Sequence, residues 1–189
     1  MYKKIAAVTT DDNQHPAQIK FFYNRKTIFD DVSLVSNYMA KNLATKDGNS
    51  LTDEYAISDD EQDLVNVCIR ATLPDIYESM VKITNSVSFA FDDDVEEAAG
   101  TDQRGTPYEA GHYVEFLLQD NNSYNDNVLT MVDASLNNCI KQGTLREIYS
   151  TITQPEFYNV CSTRFIGELY KLKQRLFQLK KKSVVSNLT

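Results

Sequence analysis

Three cysteines and two histidines are the residues best suited to chemistry in this 189-residue chain, and their spacing argues against a reactive role. A disulfide framework or a zinc knuckle needs closely spaced pairs. Cys68, Cys139 and Cys161 lie far apart and form no C-x-x-C motif. Each falls on the apolar stripe of a predicted helix, where free Cys behaves as a small hydrophobic residue. We therefore predict that all three pack in the core.

The two histidines stand alone in the sequence. His15 precedes a proline in a polar stretch, and His112 begins a predicted strand. Neither lies in a nucleophile or zinc motif, and the six glycines form no phosphate-binding loop. We predict that the chain is not an enzyme, with no catalytic, cofactor-binding or metal-binding residues and no cofactor.

A run of acids between residues 92 and 102 is the strongest local concentration of charge. It contains Asp92, Asp93, Asp94, Glu96, Glu97 and Asp102, and the first base after it is Arg104. A calcium site or an acid-only catalytic site with a metal is conceivable, but the spacing is not that of an EF-hand. A solvated, mobile loop is the favoured interpretation.

The overall charge is acidic, with 27 acids against 19 bases and a net charge of -8. This balance argues against general attraction to nucleic acid or to anionic lipid. No apolar run reaches the length of a membrane span, and the first residues lack the core of a signal peptide. We expect the chain to be made and kept in a cytoplasm.

The elements around these residues begin with two short strands, Lys4 to Thr9 and Gln18 to Tyr23. They either pack on the main body or form an arm that reaches a neighbour. Helical spacing follows from Asp31 to Leu43. Its predicted apolar side contains Leu34, Val35, Tyr38, Met39 and Leu43.

A capping-box pattern at Ser58 and Glu61 predicts the start of a second helix, which runs to about Ile83. Pro74 lies inside it and is expected to kink it or to split it in two. Alternating residues then predict a strand over 86–91 that pairs with 113–118 as a hairpin, with the acidic loop between them.

Two long helices complete the chain. The first has about 25 residues from Leu129 onward, and the presence of Gly143 indicates a close helix crossing. The second starts at Pro155 and carries a narrow apolar seam. The seam consists of Tyr158, Cys161, Phe165, Leu169, Leu172, Leu176 and Leu179. It predicts antiparallel packing on the preceding helix, or contact of its second half with another subunit.

Charge is divided unevenly along the chain. Residues 1–119 hold 21 acids and 10 bases, whereas residues 120–189 hold 6 acids and 9 bases. The bases concentrate at the end of the last helix, where they favour the helix dipole. The same asymmetry would let the basic end of one copy meet the acidic body of the next in a head-to-tail contact.

These elements predict a mainly helical α+β fold, a small helical bundle with a β-hairpin carrying a long acidic loop, plus N-terminal and C-terminal arms. Residues 1–30 form an N-terminal arm or short strands. Residues 31–182 form one helical domain with the hairpin 86–118. Residues 183–189 form an extended tail.

The order of elements resembles the small head-to-tail connector proteins (adaptor or ring proteins) of tailed phages, especially crAss-like and other Bacteroides-infecting phages. The likeness covers residues 55–182 approximately. The stretches that carry it are Ile57–Asp63, Tyr113–Leu118 ahead of Asn125–Asn127, Leu145–Tyr149 and Pro155–Tyr158.

The resemblance implies a structural virion protein at the head–tail junction, present in the host cytoplasm during assembly. Copies are expected to form a closed homo-oligomeric ring, a dodecamer, that contacts the portal protein and other connector or tail proteins. DNA passes through the channel without being read, and no membrane is involved. The acidic loop is expected to face the lumen or a neighbour, and the arm or the tail to dock on the portal or on an adjacent copy. A tail-completion or tail-terminator ring protein and a soluble intracellular interaction domain remain the alternatives.

Overall fold

The computed structural model describes residues 1–6, 8–10, 13–15, 17–41, 55–84, 87–91, 96–119 and 124–185. The helices in this part of the chain are α1 (Arg25–Ala40), α2 (Gln62–Thr84), α3 (Asp126–Thr151) and α4 (Pro155–Val185). The strands are β1 (Tyr2–Ile5), β2 (Val8–Thr10), β3 (Asn13–His15), β4 (Gln18–Asn24), β5 (Val87–Ala90), β6 (Glu96–Glu97), β7 (Gly100–Thr101), β8 (Pro107–Tyr108) and β9 (Gly111–Gln119). The predicted mainly helical α+β class is confirmed.

The main sheet has the order β1-β4-β9-β5, and every neighbouring pair is antiparallel. β4 lies between β1 and β9, so β1 and β4 pack on the body, as one of the two predicted alternatives states. The other alternative, an arm that reaches a neighbour, does not describe these two strands. They pack on the body because Ile19, Phe21 and Tyr23 alternate along β4 and are buried against the helices.

The opposite face of the sheet carries a second, smaller apolar cluster. Phe22, Tyr108 and Tyr113 pack together there, with the Phe22 and Tyr108 rings 4.9 Å apart at 69°. Tyr108 belongs to the β7–β8 hairpin, whose turn contains Gly105 at φ +81°. The hairpin therefore covers part of the sheet face that the helices leave open.

Helix α1 begins at Arg25 rather than at the predicted Asp31, because the side chain of Asn24 caps it. Asn24 Oδ1 accepts hydrogen bonds from the amides of Lys26 (2.9 Å) and Thr27 (3.3 Å). The earlier start also means that Ile28, Phe29 and Val32 form the buried side.

This shift corrects the predicted apolar side of α1. Val35 and Met39 pack against the core as predicted, but Leu34 is 70% exposed and Tyr38 is 72% exposed. Leu43 lies outside the described residues.

Helix α2 starts at the predicted cap. The Ser58 amide donates to Glu61 Oε2 at 2.7 Å, and a 3-10 turn over Asp59–Glu61 leads into the helix. The helix continues through Pro74 as one element, so the predicted split is wrong. Pro74 lies on the exposed side of α2. The carbonyl of Arg70, which loses its helical donor there, therefore lies on the solvent side of the helix.

Helices α2, α3 and α4 form an antiparallel up-down-up bundle with α3 in contact with both partners and with α1. The seam of α4 faces α3 as predicted, with Cys161, Phe165, Leu172, Leu176 and Leu179 buried. Leu169 is half-buried, whereas Tyr158 is exposed at the edge of the seam. Arg175 of α4 donates to the Met131 carbonyl of α3 at 2.6 Å, which fixes the register of the pair.

The end of α4 corrects the predicted extended tail. Residues 183–185 continue the helix to Val185, and residues 186–189 lie outside the described part of the chain. Because residue 175 lies beside residue 131, the antiparallel register places Lys180 near the start of α3 at Asp126. The last turn and a half of α4 therefore runs past the end of the bundle.

The predicted pairing of the hairpin strands is confirmed, with Val87 opposite Leu118 and Phe89 opposite Phe116. The connection between them is more than a solvated loop. Residues 96–97 pair with β9 as β6, and residues 100–108 form the β7–β8 hairpin. Asp92, Asp93 and Asp94 lie outside the described residues.

Candidate interaction surfaces

The three cysteines occupy core positions, as the sequence predicts. All are free and buried, each on a different helix. Burial raises the pKa of Cys68 and of Cys161 to about 11, and it raises the pKa of Cys139 as well. Raised thiol pKa values leave little thiolate at neutral pH, so these side chains act as packing groups.

The two histidines fall on separate strands, His15 on β3 and His112 on β9. The exposed His112 places Nε2 3.6 Å from Glu96 Oε1. Among the described residues, no group of three or more His, Cys, Asp or Glu is arranged to hold a metal ion. In the same part of the chain, no helix combines the length and apolar character that a membrane span requires.

Two of the acids from the predicted loop are engaged within the chain. Glu97 forms an ion pair with Lys20, which also contacts Glu115 at 3.0 Å. Burial raises the pKa of Glu115, while hydrogen bonding to Lys20 holds the pKa of Glu97 below its usual value despite partial burial. Sequence reasoning missed this cluster because Lys20 lies 77 residues away from Glu97.

Asp102 lies in a second internal network that joins the β7–β8 hairpin to α3. Its Oδ2 accepts a hydrogen bond from Arg104 Nη2 at 3.0 Å, and the same Nη2 donates to Asp133 Oδ2 at 3.2 Å. The buried Tyr23 hydroxyl donates to Asp133 Oδ1 at 3.0 Å. Asp133 therefore links the sheet, the hairpin and the bundle, and these charges have a structural use.

A pocket of about 700 Å³ lies at the start of α1. The first turn of α1 and residues 107–113 line it, together with Gln62 and Asn66 of α2. A helix start of this kind attracts anions through its free amides. Here Asn24 already accepts from two of those amides, so the pocket offers no distinct anion site.

An exposed side of α4 carries a second apolar stripe, about 120° around the helix from its buried seam. Ile166 and Tyr170 are each 63% exposed, and Phe177 is 52% exposed. Their spacings of four and seven residues place them within about 40° of one another around the helix axis. The sequence contained this signal as a second apolar phase, but the stronger seam of the same helix concealed it.

The sequence of α4 becomes basic after Glu168. Between Leu169 and Thr189 it has six bases and no acid, namely Lys171, Lys173, Arg175, Lys180, Lys181 and Lys182. Lys171 pairs with Glu168 at 2.7 Å. The pKa of Glu78 on α2 is lowered mainly by its hydrogen bond and ion pair with Lys82, with a smaller effect of Lys173. The C-terminal half of α4 nevertheless retains an excess of positive charge.

Leu34 and Tyr38 are exposed on α1, one helical turn apart. On another side of the helix, Ser33 and Ser36 contact the segment that leads into α2. Ser33 Oγ donates to the Ile57 carbonyl at 2.9 Å, and Ser36 Oγ accepts from the Ile57 amide at 2.8 Å.

Those serine contacts hold the acidic start of α2 beside α1, about 150° around the helix from Leu34 and Tyr38. The first residues of α2 and its 3-10 turn carry Asp59, Asp60, Glu61 and Asp63, and residues 55–69 contain no base.

Comparison with protein-family models, with curated proteins and with solved structures finds no match for this chain.

Proposed function

We propose that this chain is a structural subunit of a phage head-to-tail connector, which assembles with further copies into a ring and performs no catalysis. The observation that carries the proposal is the exposed apolar stripe of α4, formed by Ile166, Tyr170 and Phe177. Apolar patches with polar rims mark contact surfaces.

The order of elements supports the same proposal. The elements follow one another in the order that the resemblance to connector proteins implies. This order is a capped helix, an antiparallel strand pair, a long helix, a short proline turn and a long C-terminal helix. In this proposal the ring lies between the portal and the next connector or tail component, and DNA passes through its channel. The negative net charge keeps a passing polyanion from adhering to the wall.

A soluble interaction domain is the second candidate, since the same exposed stripe on α4 would serve an unrelated protein partner. The two candidates differ in what they bind. A connector subunit associates with its own copies or with a portal, whereas an interaction domain remains a monomer in the presence of portals.

Light scattering of the purified chain, alone and mixed with phage portal protein, tests the proposal together with electron microscopy of any large species. We expect rings of uniform diameter, alone or seated on the portal, and a higher melting temperature in the assembled form. A chain that stays monomeric and ignores portals under all these conditions would refute the connector function.

A further inference from the structure

We propose that Lys20, Glu97 and Glu115 form a proton-dependent clasp, in which a proton taken up by Glu115 fastens β6 to the sheet and its loss loosens β6. The three side chains come from β4, β6 and β9, and they are between 12% and 18% exposed. The clasp lies within a single chain, so it goes beyond the proposed function and does not depend on whether copies form a ring.

The strand β6 depends on side-chain contacts because it is only two residues long. Glu96 lies opposite His112 of β9, and Glu97 lies opposite Gly111. Two such pairs give few backbone hydrogen bonds, since strands usually have three residues or more. Glu96 and His112 also form an ion pair, but their side chains are 69% and 49% exposed, and exposed ion pairs contribute little. Glu97 therefore provides the stronger side-chain attachment of β6.

Glu97 shares its cationic partner with Glu115. Lys20 Nζ donates to Glu97 Oε1 and lies 3.0 Å from Glu115 Oε1. The two carboxyl groups also hydrogen-bond to each other. Such a bond requires a proton on one of them, because an ionised carboxylate is only an acceptor. Glu115 takes this proton, since burial and the neighbouring Glu97 raise its pKa.

The charges around the two carboxyl groups set the direction of the effect. When both are ionised, they repel each other and divide the single ammonium group of Lys20 between them. Lys3 of β1 lies opposite Lys20, but its ammonium contacts the Tyr108 hydroxyl and lies 4.6 Å from the centre of that ring. Lys3 therefore attracts Glu97 only across a longer distance.

The remaining neighbours of Glu115 in the sheet are uncharged, with Phe22 opposite it on β4 and Ala90 opposite it on β5. Protonated Glu115 donates to Glu97 and leaves Lys20 to pair with Glu97 alone. A carboxyl whose pKa is raised in the closed form stabilises that form as the pH falls through the raised value, and the effect is lost as the pH rises through it. β6 is therefore held more tightly in mild acid.

Amide hydrogen exchange followed by NMR tests the clasp, with each rate normalised to the intrinsic rate at the same pH. We expect the amides in the β6–β9 pairing to be protected about threefold or more better at about pH 5 than at about pH 8. Amides in the β4–β9 pairing should change less. Glu115→Gln keeps a donor and stays neutral, so it should give the higher protection at both pH values. Equal protection of β6 at both pH values in the parent chain would overturn the inference.

His112→Gln is the control, because His112 also gains a proton in this pH range and then attracts Glu96. This variant should keep most of the pH dependence of the parent chain. A pH dependence that disappears in His112→Gln but survives in Glu115→Gln would assign the effect to the histidine and refute the clasp.

The carbon-13 shifts of the two carboxyl groups give a second readout in the unaltered chain, which requires no variant to fold. The Glu115 carbon should titrate at a higher pH than an ordinary glutamate, and the Glu97 carbon at a lower pH. A Glu115 carbon that titrates at or below the ordinary value would refute the clasp. Neither measurement involves portals or rings, so failure of the clasp and failure of the connector function are told apart.

Discussion

Gly143 of α3 and Thr72 of α2 approach so closely that a Cβ atom on Gly143 would lie 2.2 Å from Thr72 Cγ2. Phe165 Cε2 of α4 would lie 2.9 Å from the same atom. The three helices of the bundle therefore meet at a position where only a hydrogen atom fits. The methyl group of Thr72 is held there, because its hydroxyl donates to the Cys68 carbonyl at 3.0 Å.

We expect Gly143→Ala to lower the free energy of unfolding by about 1–3 kcal/mol, because the added methyl group forces the helices apart. Combining it with Thr72→Ser, which removes the clashing methyl but keeps the hydroxyl, should recover part of the loss. Urea denaturation of the single and double variants measures both effects. Gly167→Ala is the control, since no atom lies within 4 Å of its Cβ position. It should stabilise the helix by about 0.5–1 kcal/mol, and an equal gain at Gly143 would contradict the close approach.

Thr153 lies between α3 and α4 with φ +55°, in the left-handed region that favours glycine. The Gln154 amide donates to the Tyr149 carbonyl at 3.0 Å, which is the bond that closes a helix end of this type. We expect Thr153→Gly to raise the free energy of unfolding by about 1 kcal/mol, because it removes the steric cost of a side chain there. Thr153→Ala retains a Cβ and should bring no such gain in the same thermal or urea measurement.

Asp102 should contribute to acid denaturation. Burial alone would raise its pKa, but the Thr106 amide and the Arg104 guanidinium and amide together hold that pKa below the ordinary aspartate value. A lowered pKa in the folded state means that Asp102 stabilises the fold above about pH 4 and loses this effect as the pH falls through the lowered value.

Asp102→Asn should therefore destabilise the chain at pH 7, by about 1–3 kcal/mol, and should flatten the decline in stability below about pH 4. Unfolding free energies measured from pH 7 to pH 2 test this. Glu109→Gln is the control, because Glu109 is exposed and directly follows β8. It should leave the dependence of the unfolding free energy on pH as it is in the parent chain. An Asp102→Asn variant with the parent's acid slope would refute the assignment.

The three thiols should resist alkylation in the native state. Their burial and raised pKa values leave modification dependent on opening of the bundle. Mass spectrometry after iodoacetamide treatment should find no added group on Cys68, Cys139 or Cys161 in buffer and three added groups in strong denaturant. Rapid labelling of any one of them in buffer would show that it is accessible.

Local signals in the sequence predicted much of the bundle. The structure confirms three of them, namely the capping box at Ser58, the seam of α4 and the close crossing at Gly143. The first two depend on residues a few positions apart, and the third depends on a missing side chain. The split predicted at Pro74 is wrong, because the residue is exposed and water can hydrogen-bond to the carbonyl that loses its helical donor.

Features set by distant parts of the chain were missed. The start of α1 depends on the cap at Asn24. The prediction lacked this cap and began the helix at Asp31, so it assigned Leu34 and Tyr38 to the buried side, whereas both are exposed. The first strands hold too few apolar side chains to form a core alone, and only the pairing of β4 with β9 brings β1 and β4 into the main sheet. The ion pair of Lys20 with Glu97 likewise joins segments that no local pattern relates.

The central position of β4 also shapes how the chain acquires its fold. Phe21 pairs with Phe116, 95 residues further along the chain. Closing so long a loop before its contacts form slows the search for the native pairing. During synthesis β4 emerges from the ribosome before β9, which is complete only when residue 119 has been added. The nascent chain therefore carries one edge of β4 without its partner strand while the 95 residues from Arg25 to Gln119 are added.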